Sequence, residues 1–382
     1  MKTRKAIKLN QTDGVKEPIS VVLATPTLLT GGAEKFVAEL AVRFDPAKFR
    51  ITVLVTRGQV QQSQLEELHN AGIEVKTIGG RSRTQSILQS ALELVRLKPK
   101  VVHTNIGSLL HVSLGVLFLP KSTVRLHTLH SMAGHAEPGV RLGASKRLMR
   151  LLKFTPVSIS RAVRESASSA FEIPESNIPL VPNGVDFGRF AQAPEGQQRA
   201  SDTTRFVAVG SLLPVKQHGD LITAFSKMQP DLHAKSRLTI VGGGPLHEQL
   251  EQQIDDLGLS KYVTLLGNRA DVPDILKTQH VFVSASRTEG FPLSLLEGLA
   301  AGLPAAVTAV DGVNDIVRDG VEGILVPPGD IKVMTEAMER MAVDHSLQER
   351  LSEQASQRAA AFSWERCIES YSALYTGSGC ER

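Results

Sequence analysis

The chain has 382 residues, 42% of them hydrophobic and 21% charged, which suits two buried cores and excludes a disordered or fibrous protein. Its net charge of +4 divides unevenly, +11 through Asp186 and −7 beyond, so an anionic partner such as phosphate-rich lipid or a polyanionic acceptor is expected on the first half. Aromatic residues make up only 4% and no recognition motif occurs, so nucleic acid is not an expected partner.

Lys2, Arg4, Lys5 and Lys8 open the chain with no apolar segment behind them, and residues 1–18 read as a flexible basic tail, not a secretory signal. Ile19–Ala24 follows as a buried strand of parallel type. The segment T-P-T-L-L-T-G-G-A-E leads from it into a helix from Lys35 that carries Phe36, Val37, Leu40 and Ala41. Further strands read at Ile51–Val55, Ile73–Thr77, Val101–Thr104, Val124–Thr128 and Val157–Ile159, alternating with helices centred on Leu65, Leu92, Leu114, Leu148 and Val163. The longest apolar run, Leu109–Pro120, includes His111 and Ser113 and is shorter than the ~20 residues of a membrane span.

Val181-Pro182-Asn183-Gly184-Val185-Asp186 has turn chemistry, and a polar stretch continues to Asp202, so the domain boundary falls there. A second alternation follows: strands Phe206–Val209, Leu238–Val241, Val263–Leu266, Val281–Ser284, Ala305–Val307 and Gly323–Val326, with helices from Lys216 and Pro245, at about 330–343 and 346–361, and from Trp364 to Tyr375. Such alternation predicts an α/β fold of two doubly wound parallel sheets facing across a cleft. The two cysteines, Cys367 and Cys380, supply neither a disulfide framework nor a zinc site, and a reducing cytoplasm fits.

Several loops at strand ends carry candidate chemistry. Gly31-Gly32 follows the first strand, where glycines let backbone N–H groups reach a phosphate or a sugar; a plain turn fits that pair equally. Lys216, in G-S-L-L-P-V-K from Gly210, is a cation at an expected helix start, which opposes the helix dipole unless an anion lies nearby. Val241-Gly242-Gly243-Gly244-Pro245 lacks the third glycine of a dinucleotide fingerprint, since position 247 is His, which argues against nicotinamide binding.

The most informative stretch is S-R-T-E-G-F-P-L-S-L-L-E-G-L from Ser286 to Leu299. Pro292 suits a first helical turn, leaving Glu289 in the loop and Glu297 on the helix Leu293–Ala301. The free N–H groups of Leu293 and Ser294 can hold a phosphate, and Gly290 lets backbone approach a ligand. A carboxylate on either side can then take sugar hydroxyls, Glu289 from a hexose and Glu297 from a ribose. The bare spacing also fits a turn with two solvated glutamates. Gly-Phe-Pro after the first Glu and the helix start between the two favour the ligand reading.

E-G-F-P-L-S-L-L-E resembles the E-x7-E signature of the retaining group 1 (family 4) glycosyltransferases of GT-B fold. G-G-A-E at 31–34, G-S-L-L-P-V-K at 210–216, G-G-G-P at 242–245 and T-L-H-S at 128–131 match further family segments in order. The resemblance covers nearly everything past residue 18. It implies two Rossmann-like domains and a C-terminal crossover helix: residues 19–186 with 363–382 for the acceptor, and 187–362 for the donor.

The activity implied is transfer of a sugar from a nucleoside-diphosphate-sugar, UDP-sugar favoured, to an acceptor hydroxyl with retained configuration, in cell-surface polysaccharide or glycolipid synthesis. The resemblance assigns Glu289, His130 and Lys216 to catalysis. Donor contacts would be Gly31, Gly32, Ser211, Lys216, Gly243, Arg287, Gly290, Phe291, Leu293, Ser294 and Glu297. No metal and no cofactor is expected, because Lys216 and backbone amides stand on the diphosphate.

One departure bears on activity: Ser211 stands where the family pattern G-R-L-x-x-x-K has Arg, and a bidentate guanidinium is not a small loss. Arg287 is the expected substitute. The alternative is a non-catalytic nucleotide-sugar binder, and a two-carboxylate hydrolase is a further rival that would not need Lys216. His103 and His111 read as structural, and the Ser131–Val140 loop as bordering the acceptor. Arg141–Phe154 forms a wheel with Leu142, Ala144, Leu148, Met149, Leu151 and Leu152 opposite Lys146, Arg147, Arg150 and Lys153. Its apolar half fits packing on its own sheet, while the basic face fits docking of this domain on an anionic membrane, peripheral to its inner face, and the two readings are compatible.

Overall fold

The computed structural model describes residues 17–29, 31–79, 82–133, 140–190 and 203–378, with the side chains of 140 and 141 excepted. The tail through Lys16, the polar stretch 191–202, residues 134–139 of the expected acceptor loop and Cys380 lie outside the described residues. Strands β1 (Ile19–Leu28), β2 (Phe49–Val60), β3 (Glu74–Thr77), β4 (Val101–Asn105), β5 (Val124–Leu129) and β6 (Thr155–Ser158) form one sheet in the order β3-β2-β1-β4-β5-β6. A second sheet contains β7 (Thr204–Val209), β8 (Ser236–Val241), β9 (Val263–Leu265), β10 (Val281–Ser284), β11 (Ala305–Thr308) and β12 (Gly323–Val326), in the order β12-β11-β10-β7-β8-β9.

Every strand pair within the two sheets is parallel. Read from opposite ends, the sheets have the same order, and each reverses beside its first strand. Such a reversal leaves a crevice at the carboxyl ends of the strands. The strands are apolar on both faces because helices cover both: in β1, Val22 and Ala24 enter one core cluster while Val21 and Leu23 enter another.

The twelve expected strands are all present, Val281–Ser284 and Gly323–Val326 with the ends expected and the others with shifted ends. β1 runs four residues further than expected, through Thr25–Leu28, with a register shift between Thr25 and Thr27 that carries it on to Gln59 and Val60. The expected helix from Lys216 starts at His218, because Pro214–Lys216 forms a 3-10 turn and Gln217 is left-handed at φ 51°. The helix expected from Pro245 begins at His247, and Pro292 is the N-cap of Leu293–Ala300 instead of its first turn.

The wheel drawn for Arg141–Phe154 also needs correcting. The helix spans Val140–Leu152 and buries Met149 and Leu152, but Ala144 and Leu151 of its apolar half face solvent.

The chain returns to the first sheet at its end. Val185 N–H donates to the Phe362 carbonyl at 2.8 Å, and the helix Trp364–Thr376 follows, capped by the Ser363 hydroxyl. Its Trp364, Cys367, Tyr371 and Tyr375 share one face at helical spacing and pack with Phe36, Phe44 and Phe49 in the first sheet's core. The buried hydroxyls are satisfied by a chain through His103: Tyr375 Oη meets Nδ1 at 2.7 Å, Nε2 meets Thr128 Oγ1 at 2.7 Å, and Thr128 meets Tyr371 Oη at 2.8 Å. His103 is thus structural. The Cys367 thiol is pushed up to about 12 by burial, leaving it inert.

Candidate active site

Three loops meet where β7, β8 and β9 end. Gly210 N–H donates to the Val241 carbonyl, Leu212 N–H to Gly243 (both 2.9 Å), and Gly242 N–H to Gly267 at 2.8 Å. Glycine is required by contact at Gly242 (φ 145°), where a Cβ would lie 1.9 Å from the Gly210 oxygen, while a Cβ on Gly243 would press on the Asn268 side chain, 2.7 Å from Nδ2. His218 lies buried beneath this platform, where desolvation holds its imidazole at about 4, so it is neutral. Ser211 is exposed on it.

The loop after β10 is drawn to the same place, because Arg287 N–H donates to the Val215 carbonyl at 2.9 Å. That bond sets Glu289 beside Lys216, whose Nζ is 2.6 Å from Oε1, with both side chains mostly shielded from water. A cation that the dipole should reject is therefore held by a carboxylate. The Arg287 side chain is exposed, and Phe291 sends its ring into the core, 5.5 Å from Phe362. Leu293, Ser294 and Leu295 open the next helix, whose first backbone bond is from Leu296 N–H to Pro292, so the three N–H groups before it have no intrahelical acceptor.

The first domain closes over this helix mouth. A Cβ on Gly32 would meet Leu293 Cδ1 at 3.9 Å, and one on Gly290 would lie 2.4 Å from the His130 carbonyl oxygen. Thr27 holds Glu34 of G-G-A-E at 2.9 Å, and a Cβ at Gly31 would collide with that carboxylate. His130 is half-buried at the end of β5, edge-on to Phe36 at 5.2 Å. Its Nε2 meets Asn105 Oδ1 at 3.0 Å, an arrangement in which Nε2–H donates and Nδ1 is left as an acceptor. Desolvation, then the charge of nearby His127, lowers His130 to about 3, so the ring is neutral at ordinary pH. His127 lies inside β5 with Nδ1 on Thr104 Oγ1 at 2.8 Å.

Two residues escaped the sequence reading. Lys35 pairs with Glu297 across the cleft, so each glutamate of the E-x7-E faces a lysine amine, one from its own domain and one from the other. Its signal was present: Lys35 sits in the first turn of Gly32–Arg43, the same electrostatic oddity that marked Lys216. Asn105, fully buried with its Nδ2 unpartnered, had no signal, since only the fold brings β4 beside His130.

Two parallel Rossmann-like units of one strand order, opposed across a cleft and tied by a returning terminal helix, define the GT-B class of fold. Comparison with known proteins gives the family. The model described as glycosyltransferase family 4 matches residues 30–189, and that for group 1 glycosyl transferases matches 191–358. The chain belongs to the group 1, family-4-like glycosyltransferases of GT-B fold.

Its relatives include an exopolysaccharide phosphotransferase of Streptomyces coelicolor, 36% identical over 203 residues, covering 52% of this chain and 21% of that protein. Another is the UDP-Gal:alpha-D-GlcNAc-diphosphoundecaprenol alpha-1,3-galactosyltransferase of Escherichia coli, 35% identical over 181 residues, 44% of this chain and 46% of that one. A D-inositol 3-phosphate glycosyltransferase of Actinosynnema mirum is 29% identical over 65% of this chain and 66% of its own length. The chain thus spans from about a fifth to two-thirds of these relatives. Among solved structures, HepE of Anabaena in complex with UDP and glucose superposes with a TM-score of 0.82 at 18% identity, over 94% of this chain and 100% of that one, a likeness of fold.

Proposed function

We propose that this protein transfers a sugar from a UDP-sugar to an acceptor hydroxyl with retained anomeric configuration. The observation that carries this is the Lys216–Glu289 pair at the mouth of Leu293–Ala300, with Gly32 and His130 of the other domain closed over it. The pair is a preformed cation site beside free amides, suited to charge that grows on a leaving diphosphate. In this reading the departing phosphate takes the acceptor proton on the same face of the sugar. Glu289 orients the hexose, Glu297 the ribose, and neutral His130 accepts from a ring hydroxyl through Nδ1.

Gly31, Gly243, Gly290 and the backbone at Phe291 line the donor's path, with Ser211 and Arg287 at its exposed edge. The amine and amides take the place of a divalent cation, so full turnover in EDTA is expected. The acceptor is assigned to lipid-linked or polysaccharide sugar at the inner face of the plasma membrane, supported by the E. coli relative's name and the basic first domain. Acceptor-dependent release of UDP from a panel of UDP- and GDP-sugars tests the reading. Exposed Ser211 in place of the family's Arg favours one rival, a binder without catalysis. That rival gives a thermal shift with the donor and no UDP release.

A further inference from the structure

Eleven large apolar side chains stand exposed among the described residues, and six of them come from one side of the first domain. Leu88, Leu92 and Val95 recur at i, i+4 and i+7 along the helix Arg83–Leu97, away from its buried Ser86, Ser90, Ala91 and Leu94. Leu117 and Phe118 follow the adjacent helix Leu109–Val116, and Leu151 lies on the next, Val140–Leu152. A Cβ on Gly115 would be 2.8 Å from Ala91 Cα, so the first two helices touch backbone to backbone. That contact sets the 88–92–95 stripe beside Leu117 and Phe118. Leu92 and Phe118 are each 69% exposed, an unusual placement for large apolar side chains.

Charge decides what would cover them. From Leu94 to Arg164 the sequence has twelve Lys and Arg and a single carboxylate residue, Glu137. Arg96, Lys98, Lys121, Arg147, Arg150 and Lys153 are exposed on or beside the same three helices. Glu93 is the one acid on Arg83–Leu97, and Arg96 pairs with it at 3.9 Å. Like charges oppose stacking of a second copy on this face, whereas an anionic bilayer satisfies both the cations and the apolar groups.

We propose that this face seats on anionic membrane, with Leu92, Leu117 and Phe118 entering the acyl boundary and the surrounding Arg and Lys meeting lipid phosphates. It deepens the membrane-side reading above by moving the apolar anchor off Val140–Leu152, which keeps Met149 and Leu152 inside, and onto its neighbours. No helix among the described residues is long and apolar enough to cross a membrane, so the contact lies in the interface plane.

The test floats the full chain with phosphatidylglycerol–phosphatidylcholine vesicles and with phosphatidylcholine alone. Binding only to the anionic vesicles is expected, with at least about a tenfold loss in Leu92→Ser/Phe118→Ser, whose exposed sites leave folding intact by circular dichroism. A Phe118→Trp variant should shift to the blue and be quenched by brominated lipid, over a constant background from the single native Trp364, which is buried.

The proposal is overturned by absence of anionic-vesicle binding, or by binding that salt abolishes while the Phe118→Trp probe stays unquenched. A dimer in free solution that Leu92→Ser/Phe118→Ser dissolves would also overturn it. Vesicle binding needs no turnover, so UDP release by the same preparation judges the enzymatic reading separately.

Discussion

At the scale of single residues, the proposed chemistry rests on two lysines and two glutamates. Lys216→Ala and Glu289→Ala are each expected to cut turnover at least ~100-fold, the loss typical of one charge-stabilising group, read as initial rates of UDP release. Near-normal rates in either variant would remove that residue from the mechanism. Lys35 differs, because its amine occupies the carboxylate that the ribose is expected to use. Lys35→Met should tighten UDP binding roughly two- to fivefold by calorimetry, the range of a partly exposed ion pair. Weaker binding would instead make the amine a donor contact. Lys216 and Glu289 were legible in the chain because helix electrostatics and loop chemistry mark them locally. The Lys35–Glu297 pairing was not, since it joins residues 262 positions apart.

At the scale of elements, strands were read well because both faces of each sheet are covered, which makes β1 or β10 a near-continuous apolar run. Helix starts were read poorly where a turn intervenes: Gln217 in the left-handed region delays the helix expected at Lys216. The short helices Phe187–Phe190 and Val272–Lys277 were missed, being too brief to show a period. Close approach between elements was legible only as glycine. Gly290→Ala would drive a methyl against the His130 carbonyl, and backbone cannot yield as a side chain does. A destabilisation of about 1–3 kcal/mol and a fall in kcat/KM of at least about tenfold are expected. Gly143→Ala, on an exposed helical turn with open space around it, serves as the control and should melt no earlier than wild type.

At the scale of the whole molecule, stability should depend on pH through buried histidines. His103, His127 and His218 are held down to about 3, 4 and 4, in each case chiefly by burial. A depressed folded value means the unfolded chain takes up the proton first, so this stability is complete above the ordinary histidine value near 6.5 and is lost as pH falls. At pH 5 each site should cost roughly 2 kcal/mol, and melting between pH 7.5 and 5 should reveal a steep drop. A flat profile would mean that the three rings protonate in place.

The returning helix has a practical consequence for anyone dividing this protein. A gene fragment stopped at Asp186 would encode all six strands of the first sheet yet omit Trp364, Tyr371 and Tyr375, leaving Phe36 and His103 facing water. A self-standing first half must therefore be stitched from two separated stretches, with residues 363–378 joined by a linker after 186.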